Sequence, residues 1–399
     1  MLYAAGETMK ILLAHNYYQS PGGEDQVFKQ ECRLLESYGH EVVTYERNNN
    51  ELLANSPTQR LFLPKRVVWS EDSYLQVLEL LQREKPQIVH VHNYFTQISP
   101  SIFYACRKVG IPVVHTVHNY RLLCPGATFF RDGKVCEECK DFSLWRSVRH
   151  SCYRQSSTAT ATVAMMLAVH RRKRTWVDAV TRYIVMTQFS RRKFIEGGLP
   201  EEKIVIKPNF VSPDPGEKSE AGEGAVVVGR LSPEKGLKTM LQAWQRLRAP
   251  VPLRILGDGP LRAELERMAS DLKLSRVTFL GHVRNNAAQM AIKSARFLIF
   301  PSENYETFAL SIVEAFSCGT PIVCSRLGAM QEIVTEGETG LHFTPGNPEE
   351  LAEKVEWAWG HPRQIEDMGK MARLEYQQKY TPESNYATLM DIYREAISA

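Results

Sequence analysis

The 399-residue chain has no run of about 18 apolar residues, so no segment reads as a membrane-spanning helix. Its first eight residues also lack the charged region and apolar core of a secretory leader, so a cytoplasmic location is expected. No Gly-x-Gly-x-x-Gly follows the first apolar strand-like run, which weighs against a dinucleotide dehydrogenase. There is no convincing Asp-x-Asp pair to hold a divalent ion. A large excess of one charge is missing too, since Lys and Arg total 49 against 45 Asp and Glu. With 43% hydrophobic and 24% charged residues, the composition is that of a globular chain long enough for two or three domains.

What is present alternates. Short apolar runs at 11–15, 41–45, 87–92, 113–117, 183–186 and 204–207 read as strands of a first domain. Runs at 225–229, 253–256, 277–280, 297–300 and 322–324 read as strands of a second. Amphipathic helical patterns fall between them, which is the signature of parallel α/β sheets. Residues 212–224, polar and rich in Pro and Gly, read as a linker. The expected division is 1–211, the linker 212–224, a second domain 225–378, and a C-terminal helix 379–399.

The most informative residues are Glu306 and Glu314, with seven residues between them and the second inside the apolar stretch Val313 to Phe316. An ionised carboxylate is costly to bury, so Glu314 either faces water or meets donors such as ribose hydroxyls. Glu306 follows the strand 297–300, at the sheet edge where open α/β folds bind ligands. The helix read from Phe308 onward then points unpaired amides at any phosphate placed there. A second loop, Arg230-Leu231-Ser232-Pro233-Glu234-Lys235-Gly236, follows the strand 225–229 and offers a guanidinium fork and an ammonium to a diphosphate.

Together with Pro21-Gly22-Gly23-Glu24, His115-Thr116-Val117-His118-Asn119, Lys207-Pro208-Asn209-Phe210, Leu256-Gly257-Asp258-Gly259-Pro260 and Gly340-Leu341, these segments resemble the family 4 glycosyltransferases of GT-B fold. The resemblance extends in order along nearly the whole chain. It implies two Rossmann-like, doubly wound domains facing across a deep cleft, with the first on the acceptor side and the second holding the donor. It implies a retaining, metal-independent transfer of sugar from a nucleotide-diphosphate donor, a UDP- or GDP-sugar, to a saccharide or lipid-linked saccharide in bacterial surface polysaccharide or glycolipid synthesis. Arg230 and Lys235 would neutralise the diphosphate, Glu314 would hold the ribose, and Glu306 the donor sugar. The amides of Phe308, Ala309 and Leu310 would touch phosphate or sugar. Gly22 and Gly23 would let backbone approach the donor, Asn209 would join the donor site, and His118 would lie near the transferred sugar. Thr307 and Ala309 stand where glycines are frequent in the family, and Asn119 where an Asp often follows the histidine. A sugar-nucleotide-binding module without catalysis, and a GT-B phosphorylase or epimerase, are the alternatives.

Two features lie outside that resemblance. Cys124, Cys136, Cys139 and Cys152 form a C-x11-C-x2-C-x12-C pattern within an insert at 120–155, with Asp132-Gly133 as a hairpin tip. Four thiolates so spaced suit a structural zinc ion, with reduced thiols as the alternative. From Lys140 to Ile195 there are twelve Lys or Arg against Asp141 and Asp178. The apolar run Ala159 to Val169 leads into His170-Arg171-Arg172-Lys173-Arg174, which suits an interfacial helix on anionic lipid with Trp145 and Trp176 at headgroup level. A soluble helix packed on the first domain is the competing reading, and nucleic-acid binding is disfavoured because aromatic stacking platforms are not evident beside the charges.

Overall fold

The computed structural model describes residues 8–19, 22–54 and 62–399. Pro21, and all but the last of the first eight residues, lie outside them. The chain forms two compact units. One comprises Met1–Ala127, Glu137–Lys207 and Asn385–Ala399, and the other Thr128–Cys136 and Pro208–Ser384.

The first unit is built on strands β1 (Lys10–Tyr17), β2 (Glu41–Asn48), β3 (Ile88–Val91) and β4 (Val113–Thr116). After the short hairpin β5 (Phe130–Arg131) and β6 (Lys134–Val135) come β7 (Arg182–Val185) and β8 (Ile204–Ile206). Its six-stranded sheet has the order β2-β1-β3-β4-β7-β8, with every pairing parallel. Strands buried on both faces explain why Ile88–Val91 and Val113–Thr116 are fully buried instead of alternating. The helix Pro382–Ser398 packs Leu389, Met390, Ile392 and Tyr393 into the same core as Ile11, Leu13, Phe28 and Ile184.

In the second unit the sheet is formed by β9 (Ala225–Val228), β10 (Leu253–Leu256), β11 (Val277–Gly281), β12 (Phe297–Phe300), β13 (Ile322–Ser325) and β14 (Gly340–Phe343). Its order is β11-β10-β9-β12-β13-β14, again all parallel. Alternate residues feed two cores: Ala225, Val227, Phe297 and Ile299 enter one, and Val226, Leu298 and Phe300 the other. This is the doubly wound pattern expected from the sequence.

Each strand expected from an apolar run is present, most with ends shifted by one to three residues. The short strand β14 was not anticipated. Its four residues include Gly340 and His342, too few and too polar to stand out. Residues 212–224 are not a slack tether. Lys218 N donates to Cys318 O at 3.0 Å, Glu223 N donates to Ser294 O at 2.9 Å, and Arg373 pairs with Asp214 at 2.6 Å, all within the second unit.

Candidate active site

In a sheet ordered β11-β10-β9-β12-β13-β14 the chain winds outward in both directions from β9 and β12. The loops leaving those two neighbouring strands therefore diverge, and a crevice opens between them at the carboxyl edge. Arg230 and Lys235 occupy the loop after β9, and Glu303 and Glu306 the loop after β12. Lys235 Nζ donates to Glu306 Oε1 at 2.6 Å, and Ser302 Oγ donates to the same oxygen at 2.8 Å. Thr239 Oγ1 donates to Glu303 Oε1 at 2.6 Å, and burial pushes the Glu303 carboxyl above its ordinary range. Arg230 is exposed and meets no acceptor among the described residues. An anion entering the crevice would find a guanidinium at liberty and an ammonium held by one carboxylate.

Backbone contacts bring these loops close. Gly236 has φ +65°, and a Cβ there would lie 1.9 Å from Pro301 O, so only glycine lets the β9 loop approach the end of β12. Gly257 on the β10 loop is as constrained, with a would-be Cβ 1.9 Å from Gly229 O. The helix after Glu306 begins at Leu310, two residues later than expected, with Ala309 as its N-cap. Leu310 and Ser311 therefore carry amides that have no acceptor within the helix, Ile312 N donates to Ala309 O at 3.0 Å, and Phe308 and Ala309 lie immediately before them. Glu314 is buried at 8% exposure in the middle of that helix, which ends at Ser317. Asn209, at 6% exposure, lies near the start of the second unit.

The first unit repeats the arrangement with different chemistry. Its order reverses between β1 and β3, so the loops after these strands frame a crevice of their own. Gly22 and Gly23 follow β1 and open the helix Gly23–Ser37. Gly22 N donates to Asp25 Oδ2 at 2.9 Å, and the other Asp25 oxygen lies 2.7 Å from His15 Nε2. Asn93 after β3 and Asn119 after β4 donate to the two oxygens of Glu24, at 3.0 and 3.3 Å. His118 Nε2 lies 3.1 Å from His92 Nδ1, and the rings stack. Burial, then the neighbouring His92 and His15 rings, hold His118 well below the usual imidazole range, so it is neutral near pH 7.

Sequence reasoning named Gly22, Gly23 and His118, quoted Glu24 as part of a motif without giving it a role, and passed over Asn93 and His92. The available signal was the strand Ile88-Val89-His90-Val91 running into His92 and Asn93, polar side chains in an apolar strand.

Three thiols of the cysteine insert interact with one another. Burial, then the nearby Cys124 and Cys152 thiols, push Cys139 up to about 12. Cys136 belongs to the hairpin segment Thr128–Cys136, grouped with the second unit. Among the described residues, the group of three or more candidate ligands with all ligand atoms within 4.8 Å of one another is Glu31, His90 and His92, not the cysteines. The expected hairpin tip is present, with Arg131 paired to Lys134 across Asp132 and Gly133.

The interfacial-helix reading of Ala159 to Val169 is corrected. In the helix Ser157–Arg172, Val163, Ala164, Met166, Leu167 and His170 are buried, and His170 bonds Thr175 and Val68 O. Trp176 is 4% exposed, so it cannot sit at headgroup level, whereas Trp145 is 48% exposed. The apolar residues were legible as one side of a helix, but that side joins the core. Among the described residues no helix is long and apolar enough to cross a membrane.

Two family models match consecutive parts of the chain: "Glycosyltransferase Family 4" over residues 21–215 and "Glycosyl transferases group 1" over residues 213–375. The chain belongs to glycosyltransferase family 4. This glycosyltransferase is 36% identical over 156 residues to a D-rhamnosyltransferase of Pseudomonas aeruginosa, an alignment spanning 39% of this chain and 40% of that protein. It is 25% identical over 345 residues to the alpha-D-kanosaminyltransferase of Streptomyces kanamyceticus, spanning 82% of this chain and 83% of that one. Among solved structures, Anabaena Alr3699/HepE in complex with UDP superposes with a TM-score of 0.69 at 20% identity, covering 96% of this chain and 99% of the other. That likeness is one of fold, and the fold of this glycosyltransferase is GT-B.

The position of Glu24 gives a pH test. Burial, then the Asp25 charge, push its carboxyl up to about 8 from an ordinary value of 4.5. A carboxyl with a raised folded value is protonated in the folded chain while it is ionised in the unfolded one. Stability therefore falls as pH rises from about 4.5 to about 8, then levels. Glu24→Gln, which stays neutral, escapes this loss. Urea unfolding should show the stability of the variant relative to the native chain rising by about 1 kcal/mol or more between pH 5 and pH 8. A difference that stays constant with pH would contradict the raised carboxyl of the half-buried Glu24.

Proposed function

We propose that this protein is a retaining, metal-independent glycosyltransferase that moves a sugar from a nucleotide-diphosphate donor to a saccharide or lipid-linked saccharide acceptor. The observation that carries the proposal is the pairing of an unopposed Arg230 with Lys235 at the switch crevice of the second unit, beside the helix start at Leu310. Breaking an anomeric carbon–oxygen bond leaves negative charge on the departing diphosphate and positive charge on the sugar. Fixed cations and helix-end amides stabilise the leaving group as that charge develops, which is the largest electrostatic contribution such a site can make. The ammonium of Lys235 would exchange Glu306 for a phosphate oxygen. Glu306, so released, would accept hydrogen bonds from the donor sugar, and Glu314 from the ribose hydroxyls. The amides of Phe308, Ala309 and Leu310, with Asn209, would complete the donor contacts. Gly22, Gly23 and His118 would act from the crevice of the first unit. The UDP-bound fold relative supports a uridine nucleotide as the first donor to try, and the rhamnosyltransferase likeness supports a deoxyhexose among the sugars.

Nucleotide release from a panel of UDP-, GDP- and dTDP-sugars, with and without saccharide acceptors, tests this reading. Acceptor-dependent release is expected, insensitive to EDTA, with kcat reduced about 100-fold by Arg230→Ala and at least as much by Lys235→Ala. Binding without turnover would favour a module that holds nucleotide sugars, and activity lost with EDTA that magnesium or manganese restores and zinc does not would remove the metal-independent mechanism.

A structural zinc ion on Cys124, Cys136, Cys139 and Cys152 is part of the same proposal, supported by the spacing and by the proximity of three of the thiols. Elemental analysis of purified protein should find about one zinc per chain, lost in Cys139→Ser. Four freely titrating thiols in the metal-free native protein would end the idea.

The basic surface is proposed to rest on anionic membrane through Phe142 (69% exposed), Trp145, Arg146 and Arg149. Flotation with phosphatidylglycerol vesicles at low salt should carry the native chain upward and leave Trp145→Ala behind. No flotation of the native chain would rule the contact out.

A further inference from the structure

Behind His118 the first unit buries a chain of ionisable side chains that the transfer reaction does not itself require. Lys207, 2% exposed, pairs its ammonium with Glu31 Oε1 and donates to Asn385 Oδ1 at 3.2 Å. The second carboxylate oxygen, Glu31 Oε2, is 2.8 Å from His92 Nε2, though off the line of an ideal hydrogen bond. His92 Nδ1 is in turn 3.1 Å from His118 Nε2. His90 stands beside this row, with Nδ1 2.8 Å from Tyr393 OH and Nε2 2.7 Å from Thr116 Oγ1.

Glu31, His90 and His92 are close enough together to suggest a metal site. The contacts argue otherwise. An ammonium already neutralises Glu31, and both nitrogens of His90 are within hydrogen-bond distance of hydroxyls. The same contacts fix where protons sit. Burial alone would raise Glu31, but the Lys207 ammonium and then the His92 ring outweigh it and hold the carboxyl well below its ordinary range. Glu31 is thus an anion balanced by one cation, and a further buried cation would stand uncompensated. A lone pair on His92 Nε2 facing that carboxylate at 2.8 Å would be repelled, so Nε2 carries the ring proton and Nδ1 the lone pair. His118 must then present Nε2–H to His92, which leaves Nδ1 as its acceptor nitrogen.

We propose that Glu31 and His92 are positioning residues that lock His118 in its Nε2–H tautomer, so that Nδ1 is offered to a substrate hydroxyl as an acceptor. This rests on the assignment of His118 to the sugar-transfer site. Substrate hydroxyls are then read by their donated O–H, and a sugar carrying hydrogen or a methoxy group at that carbon is bound less well. The arrangement has the logic of a metal-bound or catalytic histidine whose far nitrogen is oriented by a carboxylate, with a second imidazole interposed.

The test is nitrogen-15 NMR of the full chain labelled at histidine, with His118 assigned by its absence in His118→Asn, alongside steady-state kinetics. The native protein should show His118 protonated at Nε2 and bare at Nδ1. His92→Leu should leave His118 a mixture of tautomers and lower kcat about tenfold in a folded protein. His92→Gln, whose amide can donate toward Glu31 and accept from His118, should restore most of both. Glu31→Gln should act like His92→Leu. Because it strands a buried ammonium, the double variant Glu31→Gln/Lys207→Met serves if the single one fails to fold. A native His118 protonated at Nδ1, or a tautomer unchanged in folded His92→Leu, overturns the proposal. Absence of turnover in the native chain would instead count against sugar transfer, while the tautomer measurement still decides the role of Glu31 and His92.

Discussion

Parallel strand order is the constraint on which the remainder depends. Once the second unit winds outward from β9 and β12, the loops after those strands must part, and something must hold the mouth between them. The Lys235–Glu306 pair does so at 2.6 Å, with side chains 27% and 13% exposed, and the Gly236 approach to Pro301 leaves no room for another backbone path. An ion pair so placed is worth little as a source of stability; in the proposed reading its worth is as a receiver of charge, since a polyphosphate would replace the carboxylate as the partner of Lys235. Arg230, with no protein acceptor among the described residues, adds the second cation.

The first unit uses the same topology differently. Its switch falls between β1 and β3, and the helix start and loop there carry Glu24, Asn93 and His92 in place of a cationic pair. Buried polar groups are kept inside by partners: the Lys207 ammonium balances Glu31, and His15, which burial holds below the usual imidazole range, meets Asp25 as a hydrogen-bond partner. Each buried pair is costly to break from one side only, so these side chains fix the geometry of the loops as much as they stabilise the core. The final helix belongs to this arrangement. Tyr393 and Asn385 reach His90 and Lys207, which ties the last residues of the chain to the strand that leads into His92.

Much of this could be read from the sequence, for identifiable reasons. Strands buried on both faces appear as unbroken apolar runs, so Ala225–Val228 and Phe297–Phe300 were legible, and the charged residues directly after them could be placed at a sheet edge. Glu314 stood out because a carboxylate interrupts an apolar helix. Long-range pairing was not legible. Nothing local in Lys207-Pro208-Asn209 says that the lysine meets Glu31, or that His92 lies between Glu31 and His118, since these contacts join residues 26 to 176 positions apart. The helix at Ala159 to Val169 shows the converse limit: an apolar side followed by arginines has the same pattern whether a core or a lipid surface covers it, and here a core does.

The central claim is that Arg230 and Lys235 form the anion seat of the crevice after β9 and β12. Calorimetric titration of the native chain, Arg230→Ala and Lys235→Ala with UDP and with uridine at two salt concentrations measures this most directly. The account predicts that UDP binds far better than uridine, that the preference weakens with salt, and that each substitution weakens UDP binding by about tenfold or more while leaving uridine unaffected. Equal affinity for UDP and uridine in the native chain, or UDP binding unchanged in both variants, would contradict it.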